Sequence, residues 1–269
     1  MVVTGGGTGG HFFPAMAIRN ALKEKGVEVK YIGSKFGVEA TRFSNNSENE
    51  LLLNIRGIQR QLNLNSIVKN LLFPFRFLQS YYQSWKLLHD FRPHVVIGTG
   101  GYSSGLPLLA AIHKGIKTVI QEQNSYPGLT TRLFAELATA VYTGTSDTGT
   151  YLDTEIEVTG NPVRSEIRNG SKIAGSELFQ LDGKRKTVFL FGGSQGSVPL
   201  NRAIQSVLPA LQDRGIQLLW QTGLNNYEAL KELESDTVRI KPYIKEMAHA
   251  YALSDIAVAR AGALTLSEL

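Results

Sequence analysis

The chain predicts an α/β protein of two Rossmann-like domains with parallel sheets, and three observations carry that prediction. Short β-branched runs alternate with helical stretches from end to end. Several of these runs close in a glycine turn that opens a helix. A length of 269 residues is long for one core and comfortable for two.

The first strand, residues 1–4, leads into Gly5-Gly6-Gly7-Thr8-Gly9-Gly10, then His11 and an alanine-rich helix. Backbone N–H groups and a helix dipole converge at such a turn, which makes it a place for an anion. His11 adds a titratable group there. Further strands are expected at 27–32, 51–55, 95–98, 118–121 and 140–142, and then at 187–191, 217–221 and 256–259. Glycine or small-residue turns recur at 98–105, 192–196 and 260–263. In open α/β sheets ligands bind beyond the carboxyl ends of strands, where these turns fall. The expected joint is Thr159-Gly160-Asn161-Pro162, because Pro162 biases Asn161 away from helix. Residues 1–160 then form one domain and 161–269 the start of a second, which reads as truncated inside a helix beginning near Ala263.

Gly5, Gly7 and Gly10 satisfy G-x-G-x-x-G, yet the second strand ends Tyr31-Ile32-Gly33-Ser34-Lys35 without the ribose-binding acid a dinucleotide site needs. Gly192-Gly193-Ser194-Gln195-Gly196 fits a nucleophile elbow. The sole downstream histidine, His249, lies on an amphipathic helix, so Ser194 reads better as a hydroxyl donor to phosphate. In the stretch 260–268, Thr265 and the N–H groups of Leu264 and Thr265 suit a diphosphate, and Glu268 suits a ribose diol. Glu122-Gln123-Asn124 ends a strand with polar side chains for a hydroxyl-rich ligand. No Asp-x-Asp is present, so neither a metal nor another cofactor is expected and helix termini supply the counter-charge.

Composition narrows the class without choosing it. Hydrophobic residues at 42% and charged residues at 19% describe an ordinary globular chain. A net charge of +5 favours anionic partners. The absence of cysteine excludes a disulfide scaffold and zinc thiolates. No stretch is apolar and long enough to cross a bilayer. The region 67–78 instead interleaves Leu71, Leu72, Phe73, Phe75, Phe77 and Leu78 with Lys69 and Arg76, which fits contact with an anionic membrane surface.

Gly-Gly-Thr-Gly-Gly-His at 6–11, Gly-Gly-Tyr-Ser-Ser-Gly at 100–105, Glu-Gln-Asn at 122–124, Gly-Asn-Pro-Val-Arg at 160–164, Gly-Gly-Ser-Gln-Gly at 192–196 and Gly-Ala-Leu-Thr-Leu-Ser-Glu at 262–268 stand in one order. In that combination the chain resembles the MurG family of N-acetylglucosamine transferases of peptidoglycan synthesis. The resemblance implies a GT-B fold, two domains facing across a cleft, and inverting transfer of GlcNAc from UDP-GlcNAc to the C4 hydroxyl of the muramyl sugar of lipid I. It implies a peripheral position on the cytoplasmic face of the bacterial inner membrane and no nucleic-acid partner. By the same resemblance Thr8, Gly9 and Gly10 match the first-domain turn, Asn124 a sugar contact and Arg164 a donor-site contact. Ser194 matches a phosphate-side donor, Ile244 the uracil contact, and Ala263, Leu264, Thr265, Leu266, Ser267 and Glu268 the phosphate and ribose helix.

For the base that takes the acceptor proton, His11 is the first candidate and Glu122 the second. A role for His11 in orienting the acceptor pyrophosphate stays open beside it. The rivals are a related GT-B lipid glycosyltransferase, a UDP-GlcNAc epimerase, and a non-catalytic nucleotide-sugar-binding module. The family pattern continues beyond Leu269, so low stability and little activity are expected of these residues alone.

Overall fold

The computed structural model describes residues 1–43, 48–57, 72–193 and 195–269. The chain divides into two compact units, Met1–Arg164 and Ser165–Leu269.

Unit 1 runs β1 (Val2–Thr4), α1 (Gly9–Glu24), β2 (Lys30–Ser34), β3 (Glu50–Leu53), α2 (Phe73–Phe91), β4 (Val95–Gly98), α3 (Tyr102–His113), β5 (Lys117–Glu122), α4 (Leu129–Phe134), β6 (Ala140–Thr143) and β7 (Glu157–Val158). Its strands pair in parallel in the order β3-β2-β1-β4-β5-β6-β7. Alternation along the strands builds two cores. Val3, Tyr31 and Leu52 pack on one side with Phe12 and Ala15 of α1. Val2, Ile32 and Leu53 pack on the other with Leu88 of α2 and with Leu106 and Leu108 of α3. Each such side chain contributes about 1.5–3 kcal/mol by leaving water, which sets the sheet's register.

Unit 2 runs α5 (Lys172–Phe179), β8 (Thr187–Phe191), α6 (Val198–Asp213), β9 (Gln217–Gln221), α7 (Leu224–Leu230), β10 (Val238–Lys241), α8 (Met247–Leu253), β11 (Ile256–Ala259) and α9 (Ala263–Glu268). Its parallel order is β10-β9-β8-β11. Phe189, Phe191 and Leu219 face Ala250 and Leu253 of α8, while Leu190, Leu218 and Trp220 face Ile204 and Leu208 of α6. The buried indole of Trp220 donates to Asn201 Oδ1 at 3.0 Å, and Asn201 Nδ2 donates to the Thr222 carbonyl at 3.0 Å. That chain of bonds removes the desolvation cost of both groups.

Three differences from the sequence expectation have local causes. The second strand starts at Lys30 rather than 27, because the chain first turns out of α1 through Gly26 at φ 75°. β10 was not expected, since Val238-Arg239-Ile240-Lys241 alternates apolar with cationic side chains and reads as polar. β7 is two exposed residues with no pattern to read.

Candidate active site

In both units the predicted turns lie beside the strand at which the order reverses. In unit 1 that point lies between β1 and β4, and the turns after these two strands meet there. His11, in the first turn of α1, places Nδ1 3.0 Å from the Thr99 carbonyl oxygen and 3.0 Å from Gln123 Oε1. Gln123 is oriented by its amide nitrogen, which donates to the Thr99 carbonyl, the Gln121 carbonyl and Gln121 Oε1 at 3.0, 2.9 and 2.6 Å. Both neighbours of Nδ1 are therefore acceptors. In the neutral ring Nδ1 therefore carries the proton and Nε2 the lone pair. The Thr99 hydroxyl in turn donates to the His11 carbonyl at 2.7 Å, fixing the ring from its backbone side.

Glu122 ends β5, almost completely buried at 1% exposure. Its Oε1 accepts from the Asn124 N–H at 3.1 Å and from Asn124 Nδ2 at 2.9 Å; its Oε2 accepts from the Gly128 N–H at 2.9 Å and the Thr131 hydroxyl at 2.5 Å. A carboxylate with four internal donors and no access to solvent is built to hold a loop. Asn124 itself is exposed, and with both its nitrogens on Glu122 it offers Oδ1 outward.

The glycine turn holds a residue that sequence reasoning missed. Glu39, fully buried, accepts from the Gly7 N–H through both carboxylate oxygens at 3.0 Å and from the Ser34 N–H at 2.8 Å. The Tyr31 hydroxyl donates to the Gly5 carbonyl at 2.5 Å. Burial pushes that phenol well above its ordinary range, and the Glu39 carboxylate pushes it further the same way. The interior of the turn thus already contains an anion. What remains outward is Thr8, exposed and making no capping bond through its side chain, with the N–H groups of Gly9 and Gly10 at the start of α1.

Arg164 was read with the second domain, but the structure groups it with unit 1. Its guanidinium lies over Phe13 of α1, 4.6 Å from the ring centroid.

In unit 2 the reversal lies between β8 and β11; Ser194 and the residues from Ala263 to Glu268 follow those strands, and Ile244 follows β10. Ser194 lies outside the described residues. Gln221 at the end of β9 donates through Nε2 to the Gly193 carbonyl at 2.9 Å and accepts the Ile244 N–H at 2.8 Å. This buried amide, also missed from sequence, ties the glycine turn to the Ile244 segment. Ile244 is buried among Phe191 and Leu253, so its carbonyl is the group it can offer a base. In α9 the Ser267 hydroxyl donates back to the Ala263 carbonyl at 2.9 Å, and Glu268 Oε2 accepts from the Tyr251 hydroxyl at 3.0 Å. Ala263, Leu264 and Thr265 make up its first turn, while Leu266 is exposed. His249 Nδ1 accepts the Ser171 N–H at the start of α5 at 3.1 Å, which gives that histidine a structural task and takes from the hydrolase reading its base.

The expected membrane cluster divides. Residues 67–71 lie outside the described residues; Phe73 and Phe77 pack into the unit 1 core, while Leu72, Phe75, Leu78 and Tyr82 are exposed along α2. Among the described residues no helix is long and apolar enough to cross a membrane.

Two parallel Rossmann-like sheets, each with small-residue turns at its reversal point, are the architecture of the GT-B glycosyltransferases. Residues 1–143 match the Glycosyltransferase family 28 N-terminal domain and residues 187–269 the Glycosyltransferase family 28 C-terminal domain. The chain belongs to glycosyltransferase family 28. Across all of its length it is 38% identical to the UDP-N-acetylglucosamine--N-acetylmuramyl-(pentapeptide) pyrophosphoryl-undecaprenol N-acetylglucosamine transferase of Christiangramia forsetii, of which it covers 74%. The crystal structure of Acinetobacter baumannii MurG aligns over 99% of this chain and 75% of that one, with TM-score 0.68 and 26% identity. The UDP-GlcNAc 2-epimerase of Neisseria meningitidis, solved with UDP-GlcNAc, aligns over 97% of this chain and 77% of that one at TM-score 0.61 and 15% identity, a likeness of fold alone. The resemblance to the MurG family read from motif order therefore holds along the whole chain.

Proposed function

We propose that the protein is an inverting glycosyltransferase that moves GlcNAc from UDP-GlcNAc to the C4 hydroxyl of the muramyl sugar of lipid I, giving lipid II. The observation that carries its chemistry is His11, whose Nδ1–H is committed to Thr99 and Gln123 and whose Nε2 is left as a proton acceptor beside the glycine turn. The whole-chain relative from Christiangramia forsetii, a transferase by name, supports the substrate pair.

In this reading residues 1–160 serve the acceptor and residues 161–269 the donor. Nε2 of His11 takes the proton of the attacking hydroxyl as UDP leaves. Glu122 is a positioning residue, because its two oxygens are occupied by four donors. It aims Asn124 Oδ1 at a sugar hydroxyl. Thr8, Gly9 and Gly10 meet the substrates at the start of α1, and Arg164 contributes charge beside Phe13. On the donor side Ser194 and the first turn of α9, residues Ala263 to Thr265, stabilise the leaving diphosphate. Glu268 takes the ribose, Leu266 and Ser267 complete that helix, and the Ile244 carbonyl takes the uracil. The exposed row Leu72, Phe75, Leu78 and Tyr82, followed by Lys86, rests on an anionic membrane surface at the cytoplasmic face.

Labelled UDP-GlcNAc and a lipid I analogue separate the alternatives: lipid-linked label supports the transferase, free UDP with an altered sugar an epimerase, and binding without turnover a non-catalytic module. His11→Ala is expected to lower kcat by about a hundredfold or more. A near-normal kcat with weakened lipid I binding would remove His11 from the role of base.

A further inference from the structure

Arg56 has no part in the site described above, yet it stands at the carboxyl edge of the unit 1 sheet, just past β3. Ser34 draws this segment against β2 by donating to the Ile55 carbonyl at 2.6 Å. The Arg56 guanidinium lies over Phe36, 3.7 Å from the ring centroid, and its Nε is buried with no hydrogen-bond partner among the described residues. No carboxylate pairs with it among the described residues. Buried donors are ordinarily satisfied, and an arginine is ordinarily paired when it is stacked and partly desolvated.

Tyr102 links this segment to the glycine turn. A Cβ on Gly7 would lie 2.7 Å from the Tyr102 ring and one on Gly57, the residue after Arg56, 3.6 Å from it, so the turn and the Arg56 segment flank the same ring. Tyr102 also feels the Arg56 charge directly. The turn's interior, meanwhile, is neutralised by Glu39 and cannot take a second anion. Among the described residues the guanidinium over Phe36 has no carboxylate paired with it.

We propose that Arg56 binds a phosphate oxyanion at this edge, between Phe36 and Tyr102, through the side-on Nε and Nη pair of its guanidinium. In the reaction that oxyanion is the acceptor's diphosphate, an assignment that rests on the transferase reading above.

Inorganic pyrophosphate titrated calorimetrically into the protein, with UDP present to fill the nucleotide site, tests the oxyanion site without any turnover. Arg56→Gln is expected to weaken pyrophosphate binding tenfold or more, Arg56→Lys to restore part of it, and UDP affinity to stay within twofold in both. Equal pyrophosphate binding by wild type and Arg56→Gln, or no binding by wild type, overturns the site. In steady-state assays Arg56→Gln should raise the KM for a lipid I analogue about tenfold with the UDP-GlcNAc KM unchanged. An unchanged acceptor KM overturns the diphosphate assignment. A wild-type protein that never transfers GlcNAc to lipid I defeats the transferase reading instead, and the pyrophosphate result still decides the oxyanion site.

Discussion

The two units share a strand order at their centres, third-second-first-fourth, yet they secure the turn after the first strand by opposite means. Unit 1 holds its glycine turn with a buried carboxylate, Glu39, bonded to the Gly7 and Ser34 N–H groups. Unit 2 holds its turn with a neutral amide, Gln221, bonded to the Gly193 carbonyl. A carboxylate consumes N–H donors and fills the turn with negative charge. An amide that reaches a carbonyl adds no charge to its turn. The same topology therefore yields one turn with an internal carboxylate and another held by a neutral amide, a contrast that suits the proposed division into acceptor and donor sides.

The hardest test of this contrast is to delete the internal anion. Glu39→Ala strands two N–H donors in a buried site and should cost about 3 kcal/mol or more, read from the urea midpoint. Loss below about 1 kcal/mol would mean that the carboxylate is not what holds the turn. Of nearly equal size is Gly196→Ala in unit 2, where φ is 76° and a Cβ would lie 2.1 Å from the Thr222 carbonyl oxygen. Roughly 3 kcal/mol is expected, because both strain and overlap fall on backbone that cannot give way.

Gln221→Glu sharpens the comparison by lending unit 2 the charge of unit 1. The new carboxylate loses its bond to the Gly193 carbonyl and opposes an incoming diphosphate, so UDP affinity should fall about tenfold or more in a direct titration. Unchanged affinity would separate nucleotide binding from the charge of the turn. The smallest effect is Asp255→Asn. The Lys186 ammonium, and after it the Thr187 N–H, hold the Asp255 carboxyl below its ordinary range. A depressed carboxyl stabilises the fold above the range in which the unfolded group titrates, and that contribution is lost as pH falls through the folded group's range. The pair is solvent-screened, so Asp255→Asn should cost about 0.5 kcal/mol at neutral pH, shrinking towards zero in acid urea titrations.

Strands and glycine turns were legible in the sequence because their signals are local: apolar runs such as Val95–Gly98 and Thr187–Phe191, each with a glycine pair within the next three residues. His11 was legible for the same reason. The groups that orient it were not, since Thr99 and Gln123 lie 88 and 112 residues away and meet it only where β1, β4 and β5 lie side by side. In the sequence Glu39 is one acid in the stretch between β2 and β3, and Gln221 is the polar end of an apolar strand. Nothing in either neighbourhood announces a buried partner. Arg164 stands just past the expected joint, yet its guanidinium lies over Phe13 of the first unit.

The Glu39 carboxylate also lies where Cβ atoms would stand. A methyl group on Gly6 would come within 2.3 Å of Oε1 and one on Gly37 within 2.2 Å of Oε2. The obstructing atoms at both belong to that one side chain, so the backbone could accept either change once the carboxylate gave way. Among diverging relatives these two glycines and Glu39 should accordingly vary as one character. A lineage that loses the acid is freed to fill both positions, and a lineage that keeps it is held to glycine at each.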